Sequence, residues 1–413
     1  MDGRMGTEDW TITETFSIAC DKVSAHLQLD CCPSHSVLTC QGKNLMVHCV
    51  TDPSQTPLHL TGHHGHVSAV SFGKRRDPIM LCSASEDYVI AWDVERCYKR
   101  AREGAVPSGT VIGTLLGKVV HISFCPLDKR VSACSGSKMY ILNSKKEEVL
   151  AVLKGHLGPV TASVFFPWDP NVLVSISEDR TFKVWDVTKE EILYHSAVLS
   201  GVPLLSVYVT EDGKQLITGS SDGQIWQHAV LDDYKCRLVT RLDLHNIAEK
   251  QRRIQDSQAQ HATGISANPT GDDVTVETGK PVLGIFTFRP SPFSAHAEER
   301  YKPTALLITV HLSPCRDGSC VWIASSDGLY LVNLASSELL MALLFRDYPD
   351  LSFTLAGSLA ISQTDCGMRC VATALFEPRM ALWDIVLPGG LDHLCSRLDK
   401  ALGPRQELSV LPR

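Results

Sequence analysis

The chain lacks most of the features that announce a chemistry. Its 413 residues carry a formal net charge of −7, so the basic excess typical of nucleic-acid binders is missing. Its longest apolar runs, "ALLITV" and "LLMALLF", fall far short of the roughly 20 residues needed to cross a bilayer as a helix. The opening "MDGRMGTEDW" carries acids where a secretory leader has an apolar stretch. In Asn268-Pro269-Thr270 proline occupies the position that blocks N-glycosylation. There are 15 cysteines, but neither the adjacent Cys31 and Cys32 nor the pairs Cys315/Cys320 and Cys366/Cys370 form the double C-x-x-C knuckles of a structural zinc site. An odd, scattered set suits free thiols in a reducing compartment. Together these absences point to a soluble intracellular chain, expected in the cytoplasm and compatible with the nucleus.

Catalytic signatures are also missing. Gly219-Ser220-Ser221-Asp222-Gly223 matches G-x-S-x-G in letters, but that motif needs a helix after the serine. Here "QIWQHAV" follows, a strand-like run, and "SSDG" recurs at Ser325–Gly328 as an ordinary turn. "GTLLGKVV" (Gly113–Val120) is one residue too short for a phosphate loop and has valine where Ser or Thr must meet magnesium. No glycine-rich dinucleotide fingerprint is present. His63, His64 and His66 cluster without an acid or cysteine at ligand spacing. No catalytic residue, cofactor or metal is therefore expected.

What the chain does contain is a repeated unit. "GHHGHVSAVSFGKRRDPIMLCSASEDYVIAWD" (Gly62–Asp93) returns as "GHLGPVTASVFFPWDPNVLVSISEDRTFKVWD" (Gly155–Asp186). His63 precedes Trp92 by 29 residues, and His156 precedes Trp185 by 29. Both copies carry "SED", at Ser85–Asp87 and Ser177–Asp179. A recurring unit of this size implies a propeller or solenoid. The pattern resembles the WD40-repeat family of β-propellers, in which each repeat supplies a four-stranded blade.

That resemblance implies a hydrogen-bonded set in each full repeat, made of a loop histidine, a strand serine, a turn aspartate and a strand tryptophan. The sets are His63, Ser83, Asp87 and Trp92, and His156, Ser175, Asp179 and Trp185. Such a set satisfies polar groups that a blade buries between its neighbours. Asp87 stands five residues before Trp92, whereas Asp179 stands six before Trp185, which predicts a bulge or shifted register in a strand of the first copy.

Weaker copies keep the strand–turn–strand rhythm. The tryptophan position falls near Val47, Trp92, Leu142, Trp185, His228, Val332 and Trp383, in steps of 45, 50, 43, 43, 104 and 51. Only the step of 104 breaks the roughly 40–50-residue period. The expectation is an all-β chain, a single seven-bladed WD40-like propeller over residues 8–388 with one long insertion at about 233–280. A tail over 389–413 follows, with helical spacing or no fixed structure. Within the insertion "LHNIAEKQRRIQDSQAQ" has the spacing of an amphipathic helix, and "GISANPTGDDVTVETGK" has loop composition. The segment reads as a solvated loop or a partner-binding arm. The last repeat stops after three strands, so Trp10–Ala19, rich in β-formers, is expected to pair beside Met380–Val386 and close the ring. The competing expectation is a truncated piece of a longer protein whose ring is closed otherwise.

By this resemblance the function is that of a non-catalytic scaffold. It would bind other proteins through its loop faces, where a stiff frame presents recognition loops. Glu86, Tyr88, Leu157, Glu178 and Arg180 are expected to be exposed on the face formed by the Gly-His loops and SED turns. The chain alone is expected to be a monomer, with protein partners and no nucleic-acid partner. The alternative reading uses two basic segments, Lys74, Arg75 and Arg76, and Lys99, Arg100 and Arg102, to hold a phosphoinositide or a membrane surface.

Overall fold

A computed structural model describes residues 11–20, 27–38, 42–49, 52, 55–250, 252–253, 280–287, 320–364 and 367–386. The apolar β-rich runs form short strands, and the Gly, Ser and Asp clusters between them form turns that fold each group into an antiparallel meander. Strand β1 (Thr11–Ala19) comes first. Blade 1 holds β2 (His35–Leu38), β3 (Leu45–Cys49) and β4 (Leu58–Leu60), and blade 2 holds β5 (Ala69–Phe72), β6 (Met80–Ala84), β7 (Tyr88–Asp93) and β8 (Thr110–Thr114). Blade 3 holds β9 (Val119–Phe124), β10 (Arg130–Ser135), β11 (Lys138–Asn143) and β12 (Val149–Lys154). Blade 4 holds β13 (Val160–Phe165), β14 (Val172–Ser177), β15 (Phe182–Asp186) and β16 (Glu191–His195). Blade 5 holds β17 (Leu204–Val209), β18 (Gln215–Ser220), β19 (Gln224–Val230) and β20 (Cys236–Asp243). Blade 6 holds β21 (Gly284–Thr287), β22 (Cys320–Ser325), β23 (Gly328–Asn333) and β24 (Glu338–Leu344). Blade 7 holds β25 (Ala356–Thr364), β26 (Gly367–Ala374) and β27 (Arg379–Val386), with β1 as its outer strand. The result is a seven-bladed β-propeller.

The blades are buried on both faces. Strands β14, β22 and β23 are buried along their whole length. Successive side chains of β15 point to opposite neighbours, as the period of two requires. Phe182 and Val184 pack on Leu204, Leu216 and Trp226 of blade 5. Trp185 packs on Met139, Ile141 and Leu153 of blade 3. All seven residues at the tryptophan position, from Val47 to Trp383, are buried. In blades 3 to 7 the register between the third strand and the outer strand shifts at this same position, for example between Val184 and Trp185 and between Leu331 and Val332.

Strand β1 closes the ring. Thr11 pairs with Val386 and Ala19 with Arg379 in one antiparallel ladder. Blade 1 then packs on blade 7 through Leu27, Leu29 and Cys31 against Ala360, Val371, Met380 and Leu382. Its innermost strand is reduced to two isolated bridges, an antiparallel one between Cys31 and Ser36 of β2 and a parallel one between Gln28 and Ala69 of blade 2. The Gln28 amide reaches further, donating to Ile122 O (2.8 Å) and accepting from Ile122 N–H (2.7 Å) on blade 3.

One expectation needs correction and a second is refined. The step of 104 is not one insertion beginning at 233. Residues Cys236–Asp243 form β20, and the extra length falls in two places, between β20 and β21 and between β21 and β22. An outer strand needs little apolar patterning, and Arg237, Leu238 and Val239 are exposed, so β20 resembles loop sequence. The shifted register expected in the first repeat lies between β7 and β8, at Val89/Ile90, whereas the β6–β7 hairpin is regular, with Ala84 paired to Val89 and Leu81 to Trp92. The missing residue is absorbed by a turn of four residues (Ser85–Tyr88) in place of the five of blade 4 (Ser177–Arg180 and Thr181). Of the expected insertion helix, residues 244–250 are helical, with Leu244, Ile247 and Ala248 packed on Ile225, Val282 and Tyr330. The remainder of the insertion, apart from 252–253 and 280, lies outside the described residues, as do Trp10 and the tail from 389.

Candidate interaction surface

In a meander, alternate turns lie at opposite ends of the sheet. One end of the ring therefore gathers the Gly-His loops and the SED turns. The other end gathers the turn after each innermost strand and the connection before each outer strand.

At the Gly-His end the polar side chains are tied into the frame. In blade 4, Ser175 Oγ accepts from the Trp185 indole N–H (2.8 Å) and lies 2.7 Å from His156 Nε2. His156 Nδ1 lies 2.7 Å from Asp179 Oδ2. Burial pushes the His156 pKa down, against the opposing pull of Asp179, so the ring is neutral near pH 7. Burial would raise the Asp179 pKa, but Thr181, His156 and the Leu157 N–H outweigh it and hold the carboxyl well below its usual range. A neutral imidazole beside a carboxylate must donate from Nδ1 and accept at Nε2, so the serine hydroxyl donates to the histidine. Leu157 N–H (2.9 Å) and Thr181 N–H (3.0 Å) also donate to Asp179, which fixes the loop to the turn.

Blade 2 brings the same four residue types together less tightly. Trp92 donates to Ser83 Oγ at 2.9 Å, and Ser83 Oγ lies 2.7 Å from His63 Nε2. The shorter turn leaves Asp87 3.4 Å from His63 Nδ1, and Ser85 Oγ, at 3.0 Å, is the nearer partner. Asp87 still accepts from His64 N–H at 2.8 Å.

Blades 5 to 7 place other groups here, and in blade 5 the buried His228 Nδ1 has no hydrogen-bond partner among the described residues. Blade 5 puts His228 at the tryptophan position, edge-on to Phe182, with its pKa pushed down to about 4 by burial. Blade 6 joins Lys280, Asp327 and Tyr330. Blade 7 uses Glu14 of β1, which accepts from Trp383 Nε1 (3.2 Å) and from Ser352 N–H (2.9 Å) and Oγ (2.8 Å). The sequence pattern missed Glu14, whose only signal was an acid inside a strand of otherwise uncharged residues.

Of the five expected surface residues, Glu86, Leu157, Glu178 and Arg180 are exposed. Tyr88 is half-buried: as the first residue of β7 it pairs with Thr114, and its ring meets His64 edge-on. Its expected full exposure is corrected to partial.

The two basic segments lie together at the opposite end, both on blade 2. Lys74, Arg75 and Arg76 are exposed, and the N–H groups of Lys74 and Arg75 donate to the buried carboxylate of Asp128 at 2.7 and 2.9 Å. The second segment is not a loop but helix α1 (Val94–Arg102), which has Asp93 as its N-cap and Lys99, Arg100 and Arg102 in its last turn. That charge order suits the helix dipole. Among the described residues no group of three or more His, Cys, Asp or Glu is placed to hold a metal ion, and the described cysteines are free thiols.

Comparison with known proteins agrees with this geometry. The family model described as "WD domain, G-beta repeat" matches residues 147–186, which run from the outer strand region of blade 3 to the end of β15. Pre-mRNA-processing factor 19 of Bos taurus is 28% identical over 130 residues, 30% of this chain and 24% of that protein. Pre-mRNA-splicing factor cwf17 of Schizosaccharomyces pombe is 30% identical over 173 residues, 41% of this chain and 46% of that protein. Periodic tryptophan protein 2 of Arabidopsis thaliana is 27% identical over 241 residues, 51% of this chain and 25% of that protein. The matches thus span from about a quarter to about a half of those relatives.

Proposed function

We propose that this chain, a WD40-repeat β-propeller, is a non-catalytic platform that holds protein partners against the Gly-His end of its ring. The observation that carries the reading is the division of labour at that end. His63, Ser83, Trp92, His156, Ser175, Asp179 and Trp185 turn inward and bond to one another, while Glu86, Leu157, Glu178 and Arg180 project from the same loops into solvent. Loops fixed in this way present side chains at little entropic cost. The relatives named for pre-mRNA processing and splicing favour assembly with other proteins and bring the nucleus into the reading beside the cytoplasm. Affinity purification of the tagged chain tests it, with Glu178→Arg/Arg180→Glu as the variant. Partners lost from that variant and kept by Arg75→Glu/Arg76→Glu support the reading. An unchanged partner set counts against it.

A second reading rests on the two basic segments sharing one blade and one end, with Asp128 fixing the backbone of the first. Binding of an anionic lipid surface there would show as salt-sensitive sedimentation with phosphoinositide vesicles, lost in Arg75→Glu/Arg76→Glu.

A further inference from the structure

The Gly-His end of blades 3 and 4 carries two features that the fold does not need. Lys138, the first residue of β11, is directly opposite Lys154, the last of β12, and both are exposed. Residues directly opposite in a ladder point to the same side, and like charges there destabilise the pair. Among the described residues neither lysine forms an ion pair, nor do the exposed Lys118 and Arg180 nearby.

The second feature is a pair of leucines. Leu115 is 95% exposed and Leu157 96%. Leu115 also has φ 55°, a left-handed conformation that costs a leucine free energy. A lone surface leucine needs no explanation. Two that are almost wholly in water, on loops flanking one blade, are different. The loops are contiguous: Ser135 Oγ donates to Leu116 O (2.8 Å), Val160 N–H to Gly136 O (2.7 Å) and Glu178 N–H to Pro159 O (2.9 Å). Of the acids on these loops, Asp179 is held by His156 and Thr181, and among the described residues the exposed Glu178 forms no ion pair with either lysine.

We propose that this patch docks an acidic segment of a partner protein, with carboxylates on Lys138 and Lys154 and aliphatic side chains on Leu115 and Leu157. The inference rests on the platform reading and gives it a partner chemistry. Aliphatic contacts favour a peptide over single-stranded nucleic acid, which binds through aromatic stacking platforms, and none of the six patch residues is aromatic.

The test is an array of 15-residue synthetic peptides probed with the full chain. One set combines aspartate or glutamate with two leucines; matched sets carry asparagine and glutamine for the acids, or alanine for the leucines. The acidic leucine set should bind, and Lys154→Glu and Leu157→Ser should each weaken it by about tenfold or more. Lys154→Glu should unfold no earlier than the parent, since it turns a repulsive pair into an attractive one, so lost binding is not lost folding. Wild-type binding by both variants overturns the proposal, as does equal binding of the neutral set or no binding at all. Binding lost only in Arg75→Glu/Arg76→Glu also overturns it while leaving the platform reading intact. Preference for a polyuridine RNA, abolished by Lys154→Glu, would overturn it in favour of a nucleic-acid partner.

Discussion

Replacing Glu14 by alanine should loosen the junction that closes the ring. The carboxylate accepts from Ser352 N–H at 2.9 Å, Ser352 Oγ at 2.8 Å and Trp383 Nε1 at 3.2 Å. Trp383 is 0% exposed, so alanine leaves its N–H without an acceptor, at a cost of about 1–3 kcal/mol. Ser352 is only half-buried, and water replaces part of what it loses, so the total should be about 2–4 kcal/mol. Glu14→Gln keeps an acceptor oxygen and should cost about 1 kcal/mol. Urea unfolding midpoints measure both, with the exposed Thr13→Ala on the same strand as a control expected within about 0.5 kcal/mol of the parent. Acidity gives a second handle. Burial alone would raise the Glu14 pKa, but the bonds from Ser352, Ser17 and Trp383 outweigh it and leave it lowered. A lowered folded pKa means the folded state binds fewer protons. The stabilisation is therefore present above the ordinary glutamate value of about 4.3 and is lost as pH falls through the folded pKa. The gap between parent and Glu14→Gln should narrow as pH falls below about 4.3. A parental midpoint for Glu14→Ala, or a gap that ignores pH, would refute the reasoning.

Asp179→Ala should cost about 1–3 kcal/mol by orphaning buried donors. Asp87→Ala should cost less, because Ser85 remains with His63; thermal melts giving the reverse ranking would contradict the two geometries. Trp185→Ala should cost about 3–5 kcal/mol, which calorimetry can check against Leu142→Ala, a change at the same position that removes packing but no hydrogen bond. Deleting residues 1–20 should free the edge of β27 and promote self-association; a deletion that stays monomeric and melts like the parent counts against the closure. Asp128→Ala should release the N–H groups of Lys74 and Arg75, seen as faster hydrogen exchange of those two amides.

The parts of the fold legible in the sequence are those with local spacing. The interval from His63 to Trp92 repeats from His156 to Trp185, and strands rich in β-formers filled in the weaker blades. What failed to read was non-local or outward-facing. The acceptor for Trp383 lies 369 residues away in sequence, beyond any repeat pattern. Strand β20 exposes Arg237, Leu238, Val239 and Arg241, so it lacks the apolar alternation of a half-buried strand and looked like insertion. Strand β21 has only four residues and is cut off from β22, so a single break in rhythm concealed two. The one-residue difference before Trp92 was visible, but spacing does not say whether a strand or a turn absorbs it.

The pairing of Thr11 with Val386 also dictates an order of events during synthesis. Strand β1 leaves the ribosome long before β27 exists. At about 5–20 residues per second the wait is roughly 20–70 seconds. Throughout it β1 is an orphan, able to pair with any passing edge. Its composition fits that exposure: in "TITETFSIA" Ile12 is the one residue that ends fully buried, and Thr11, Thr13, Thr15 and Ser17 stay exposed. A more apolar strand would close the finished ring as well but would invite aggregation on nascent chains. The composition of β1 thus suits two stages, the unpaired strand on the ribosome and the closed ring.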